Sequence, residues 1–159
     1  MTNRDSSARS RAAWVLVLVA LASAACSTTG SKMTPKRDNP ALYFEIPVVD
    51  MKRAMLFYES VFGFDFQIEE IHGNEMAMLP FVTDGAGISG ALARGKIYQP
   101  SLNGTLIYLR SEDIDETLKR AQSAGAKILF PKTKAGEHSY VAEIQDSEGN
   151  RIALIQPLK

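Results

Sequence analysis

Residues 42–49 alternate strictly: Leu42, Phe44, Ile46 and Val48 are apolar and share one side, while Tyr43, Glu45 and Pro47 share the other. A period of two predicts a strand. Asp50 then stands where a helix cap belongs, and Met51, Met55, Phe57, Tyr58, Val61 and Phe62 recur at helical spacing until Gly63 stops the run. Alternating stretches follow at about 64–71, 75–81 and 88–94, separated by Gly73-Asn74 and by TDGAG, which supply the turns. The same order then returns. Residues 105–110 predict a strand, and residues 113–123 a helix with Ile114, Leu118 and Ala121 inward. Gly125 ends that helix, another strand begins near Lys127, and strands at 140–145 and 151–156 flank DSEGN, a turn by composition.

The cap-to-glycine distances Asp50 to Gly63 and Asp113 to Gly125 differ by one residue, so the pattern is an internal βαβββ duplication with a period too long for a solenoid. The helix of each module covers the apolar face of its own sheet and leaves the other face open. Two such modules side by side predict an α+β fold whose sheets form a cup-shaped half-barrel. The domain spans residues 40–159 and is preceded by two segments of different character.

Arg4, Arg9 and Arg11 precede the apolar run WVLVLVALA, which is about half the length of the roughly 20 residues a membrane-spanning helix needs. Residues 1–26 therefore read as a signal peptide. The small residues SAAC close it at Cys26, the sole cysteine; this resembles the lipobox of bacterial lipoproteins, with Ser23 where Leu is usual. The alternative is an Ala-x-Ala type cleavage that discards Cys26 or leaves it as an incidental thiol. Both imply export. A lipidated Cys26 would anchor the protein to the cell envelope, and Ser27, lacking the Asp of inner-membrane retention, favours the outer membrane if the source is Gram-negative; without lipidation the location is periplasmic. Residues 27–39, rich in Ser, Thr, Lys and Pro, read as a flexible linker.

The chain has 159 residues, with 18 basic against 18 acidic and the basic ones dispersed, which excludes nucleic acid as a partner. Once the leader's three Arg and one Asp are gone, 15 basic residues face 17 acidic. No cysteine pair remains in the domain, so packing rather than a disulfide holds it.

The stretches FEIPVVDMKRAMLFYESVFGF, YLRSEDIDETLKRAQSAGAKIL and DSEGNRIALIQP resemble the vicinal oxygen chelate superfamily, which includes glyoxalase I, bleomycin and fosfomycin resistance proteins, extradiol dioxygenases and methylmalonyl-CoA epimerase. The resemblance covers about 41–157 and is nearest to a glyoxalase-like branch that shares FEIP, PKT, GEH and EGNRI. In metal-dependent members each module gives one ligand from its first strand and one from its last. The matching places here are Tyr43 and Leu106, each seven residues before a capping aspartate, and Ala91 and Ala153 in the last strands. Alanine and leucine have no donor atoms, so no metal and no cofactor are implied. Glu45, His72, Glu75, His138 and Glu143 have no metal-site spacing among them.

Alternation sends Tyr43, Glu45, Tyr108, Arg110 and Arg151 to the open face, and GEH places His138 near the cup mouth. These six are the candidate ligand-binding residues. A carboxylate in an apolar strand is costly to bury unpaired, so Glu45 is expected to meet water, a partner or a ligand; Arg110 and Arg151 are its candidate ion-pair partners, or alternatively hold an anionic ligand through a bidentate contact. Two functions fit. One is a metal-free binder of a small organic molecule, as in the resistance proteins, with contact to the membrane only through a lipid anchor and a homodimer allowed. The other is a glyoxalase-like lyase or isomerase using Glu45 as base, with His138, Arg110 or a Tyr in place of the metal.

Overall fold

Both helices start on an aspartate that does what the pattern predicts. A computed structural model describes residues 40–158; the signal-peptide and linker segments, with Cys26, lie outside the described residues. Asp50 accepts a hydrogen bond from the Arg53 N–H at 3.0 Å and begins α1 (Met51–Phe62), while Asp113 accepts from the N–H groups of Asp115 and Glu116 and begins α2 (Ile114–Ser123). Gly63 closes α1 in the left-handed region at φ 72° and donates its N–H to the Glu59 carbonyl, a conformation glycine adopts without a Cβ penalty.

Each helix serves one four-stranded sheet. The first sheet comprises β1 (Tyr43–Pro47), β2 (Gln67–Ile71), β3 (Asn74–Met78) and β4 (Ser89–Arg94), in the order β1-β4-β3-β2. The second comprises β5 (Ile107–Arg110), β6 (Lys127–Ala135), β7 (Ser139–Gln145) and β8 (Arg151–Pro157), in the equivalent order β5-β8-β7-β6. In both, the strand before the helix runs parallel to the last strand and the other pairings are antiparallel. The fold is thus α+β, with two βαβββ modules whose open sheets form the half-barrel. Gly90 lets β1 and β4 approach: a Cβ there would run into the Phe44 carbonyl oxygen.

One continuous core serves both modules. Ile46, Val48 and Leu92 from the first sheet meet Phe57, Tyr58 and Val61 of α1, and the same cluster continues through Ile114 and Leu118 of α2 to Ile144, Ile152 and Leu154. Tyr58, Phe62 and Phe64 stack in sequence with ring centroids 5.7 and 5.2 Å apart. Where α1 and α2 meet, Arg120 donates from Nε to the Val61 carbonyl at 2.8 Å, satisfying a group near the C-terminal end of α1.

The DSEGN segment does more than turn the chain. Asp146 Oδ2 accepts from the buried Tyr58 hydroxyl at 2.8 Å and from Asn150 Nδ2 at 2.9 Å, and Asn150 Nδ2 also donates to the Pro47 carbonyl. The Glu148 side chain, fully enclosed, accepts from the N–H groups of Val49 and Asp50 and from Arg53 Nε at 2.8 Å. Burial alone would raise the Glu148 pKa, but the bonds from Arg53 and the two backbone N–H groups outweigh it and leave the carboxyl below its ordinary value. For Tyr58, burial first and then the Asp146 carboxylate push the phenol well above its ordinary value. The second module's last turn therefore latches onto the first module's strand-to-helix junction.

Several boundaries differ from the pattern. Leu42, placed with the apolar side, lies outside β1 and is 81% exposed. The run from 64 yields a strand only at Gln67, because Phe64 and Phe66 pack against the core. Likewise the strand expected from 105 begins at Ile107. β6 is long but irregular, with register shifts between Ile128 and Thr133, where Pro131 has no N–H to give the ladder; it survives because β6 is an edge strand.

Candidate ligand site

On the face of the first sheet away from α1, cross-strand register sets Glu45 beside Ala91, Ala91 beside Met78, and Ala93 beside Met76. Alanines leave room above them, and the chain between β4 and β5 uses it. Tyr98 folds back and packs on Met76, Ala91 and Ala93, leaving both alanines without exposed surface. Its hydroxyl donates to Glu45 Oε2 at 2.8 Å. That hydrogen bond, with some burial and the carboxylate's charge, raises the Tyr98 pKa; Tyr43 is raised by burial first and then by Glu45 and Glu69. Both phenols are therefore neutral donors at physiological pH.

Tyr43, Glu45 and Arg151 line one cavity of about 510 Å³, together with Gln99 and Ser101 of the inter-module chain and Ile107 at the start of β5. Ser101 is held there by its N–H to Asn150 Oδ1 at 3.1 Å, so the latch also positions one wall of the site. Tyr108 and Arg110 line a neighbouring cavity of about 410 Å³ that shares Phe44, Ile88 and Ile107 with the first. A hollow of about 580 Å³ outside α1, near Gly125, contains none of the six candidate residues.

The expected ion pair between Glu45 and an arginine is not formed. Arg151 gives its guanidinium to Glu143 on the neighbouring strand at 2.7 Å, and Arg110 turns to Glu112 at 3.1 Å. Both acids belong to the arginine's own module: Glu143 lies on the strand next to Arg151, and Glu112 follows Arg110 by two residues. Glu45 is exposed and takes the Tyr98 phenol instead. His138 lies in the exposed β6–β7 turn, next to the Ser139–Pro157 pair, whereas Arg151 is at the other end of β8. Six residues at about 3.3 Å each separate those ends by roughly 20 Å along the strand, so His138 and the cavity of Glu45 are not brought together. His72 occupies the β2–β3 turn at φ 51°, and Glu75 is paired with Arg94.

A metal does not fit the four places that the resemblance marks. Tyr43 alone among them has a donor atom; Ala91 and Ala153 are wholly covered and Leu106 is half-buried. Among the described residues no three His, Cys, Asp or Glu side chains come together to hold an ion. Among the same residues no helix is long and apolar enough to cross a membrane.

Tyr98, Gln99 and Ser101 are the site residues that periodicity does not reach, since they belong to neither module's repeat. The only sign of Tyr98 in the sequence is that it is the one aromatic residue of the connection between β4 and β5.

A duplicated βαβββ fold with a cavity between the first strands of its modules defines a class of cup-shaped proteins. Residues 41–154 match the family model of the Glyoxalase/Bleomycin resistance protein/Dioxygenase superfamily, and the chain belongs to that superfamily. It is 28% identical over 113 residues to a glyoxylase-like domain-containing protein of Didymella fabae, covering 69% of this chain and 88% of the relative. Among solved structures, TnmS3, an antibiotic binding protein from Streptomyces sp. CB03234, superposes with a TM-score of 0.58 at 25% identity, over 77% of this chain and 99% of that one. A glyoxalase I variant from Zea mays superposes with a TM-score of 0.54 at 17% identity, a likeness of fold alone; it involves 74% of this chain, which spans about half (46%) of the maize chain.

Proposed function

We propose that this protein binds a small organic molecule in the cavity between its modules, without the metal centre of its catalytic relatives, and does so at the cell envelope behind a lipidated Cys26. The observation that carries the reading is that two of the four ligand places are alanines with no donor atom, Ala91 and Ala153, both wholly covered, with Tyr98 packed against the cluster that contains Ala91. The cavity, about 510 Å³ with aromatic and aliphatic walls and a few polar groups, has the size and make-up of small-molecule sites. A structural relative described as an antibiotic binding protein supports the same direction. The lyase or isomerase alternative needs a base and an electrophile around one carbon. Glu45 and His138 lie far apart, and Arg110 and Arg151 are each bonded to a carboxylate.

The test is elemental analysis and thermal melting of the protein purified without chelators. Less than a tenth of an equivalent of transition metal, on the order expected for adventitious ions, and a Tm unmoved by EDTA are the expected results. One bound metal per chain, lost with a fall in Tm, sinks the proposal.

A further inference from the structure

Charge on the concave faces is not evenly matched. Register places Glu69, opposite Met76, on the same face of the first sheet as Glu45. The arginines of the second sheet's open face are already engaged, Arg151 by Glu143 and Arg110 by Glu112. Glu45, by contrast, is bonded to a neutral phenol, and among the described residues no Lys, Arg or His forms an ion pair with it or with Glu69. Two tyrosines stand beside this carboxylate. Tyr98 donates to it, and Tyr43 lines the same cavity with its hydroxyl 3.9 Å from Met78 Sδ. Phenol faces and thioether sulfur are soft, electron-rich surfaces that favour a cation, above all beside a carboxylate.

We infer that the ligand of this site is a cation, an amine- or amidine-bearing organic molecule with a flat or apolar body, whose charged group is held by Glu45 beside Tyr43. This rests on the small-molecule-binding reading above. An anionic ligand in this cavity would meet Glu45 and would have to take Arg151, the one cationic side chain among the described residues that line it, away from Glu143. A cation meets a carboxylate whose second oxygen makes no bond to another side chain among the described residues. The rest of the molecule lies against Ile88, Ile107 and Pro47, which line the same cavity.

The experiment is a fluorescence titration of the whole protein with three dyes of similar size: proflavine, a planar cation; acridone, its neutral tricyclic counterpart; and the anion 8-anilinonaphthalene-1-sulfonate. Proflavine binds about tenfold or more tightly than either of the others, a preference that Glu45→Gln removes while leaving acridone within about twofold. Raising salt from about 0.05 to about 0.5 M weakens proflavine and leaves acridone unchanged, a readout on the unaltered protein that does not depend on the variant folding. If acridone or the sulfonate binds as well as proflavine, or the Glu45→Gln variant, native by melting, keeps the full preference, the charge assignment is overturned and the binding reading stands. If none of the three binds, the binding reading falls and this inference with it.

Discussion

The same phenol-to-carboxylate contact occurs twice, in opposite surroundings. Tyr58 gives its hydroxyl to Asp146 where both are buried, and Tyr98 gives its hydroxyl to Glu45 where both meet solvent. Removing the donor should therefore have different consequences. Tyr58→Phe leaves a buried carboxylate oxygen with one fewer donor and should lower unfolding free energy by about 1.5–3 kcal/mol. In Tyr98→Phe water replaces the lost donor, so the change should stay within about 0.5 kcal/mol. Urea denaturation of the two variants beside the parent checks both; equal losses would show that burial does not set the value of this contact. Tyr43 and Glu45 were legible as neighbours on the open face, because alternation is a local property of β1. Their partner was not, since Tyr98 reaches Glu45 from 53 positions away through an aperiodic connection.

Among elements, the latch between the DSEGN turn and the β1–α1 junction sets how the modules are joined. Glu148 holds its proton less tightly when folded than when unfolded, so its contribution is present above its ordinary pKa of 4.5 and is lost as pH falls through the lowered folded value. The parent should consequently lose Tm more steeply than Glu148→Gln between about pH 5 and pH 3. At neutral pH the variant should be less stable by about 1–3 kcal/mol, because a neutral amide oxygen replaces a carboxylate bonded to Arg53 and two backbone N–H groups. Melting curves across that range decide it: parallel pH profiles would remove Glu148 from the acid response. The helix bounds were readable to within a residue because caps are local chemistry, Asp50 and Asp113 at the starts and Gly63 and Gly125 at the ends. DSEGN was readable as a turn and no further, since its hydrogen-bond partners Val49 and Asp50 precede Glu148 by 99 and 98 positions.

For the whole molecule, the proposed envelope tether makes a prediction independent of the site. Cys26→Ala should move the protein from the membrane fraction to the soluble periplasmic fraction, since a lipid chain is the only anchor proposed. Continued sedimentation with membranes would point to a different anchor.

What was written locally in the chain was the duplication, the order of strands and helices, the faces of β1, β5 and β8, and the loss of donors at Ala91 and Ala153; periodicity, capping and side-chain chemistry act over a few residues. What only the folded chain decided was pairing at a distance. Arg151 chose Glu143 and Arg110 chose Glu112, Glu45 was left to Tyr98, and His138 was placed at the far end of β8. Each of those outcomes depends on which elements pack together and on competition among nearby charges, quantities that no stretch of sequence contains until the two sheets and their helices are in place.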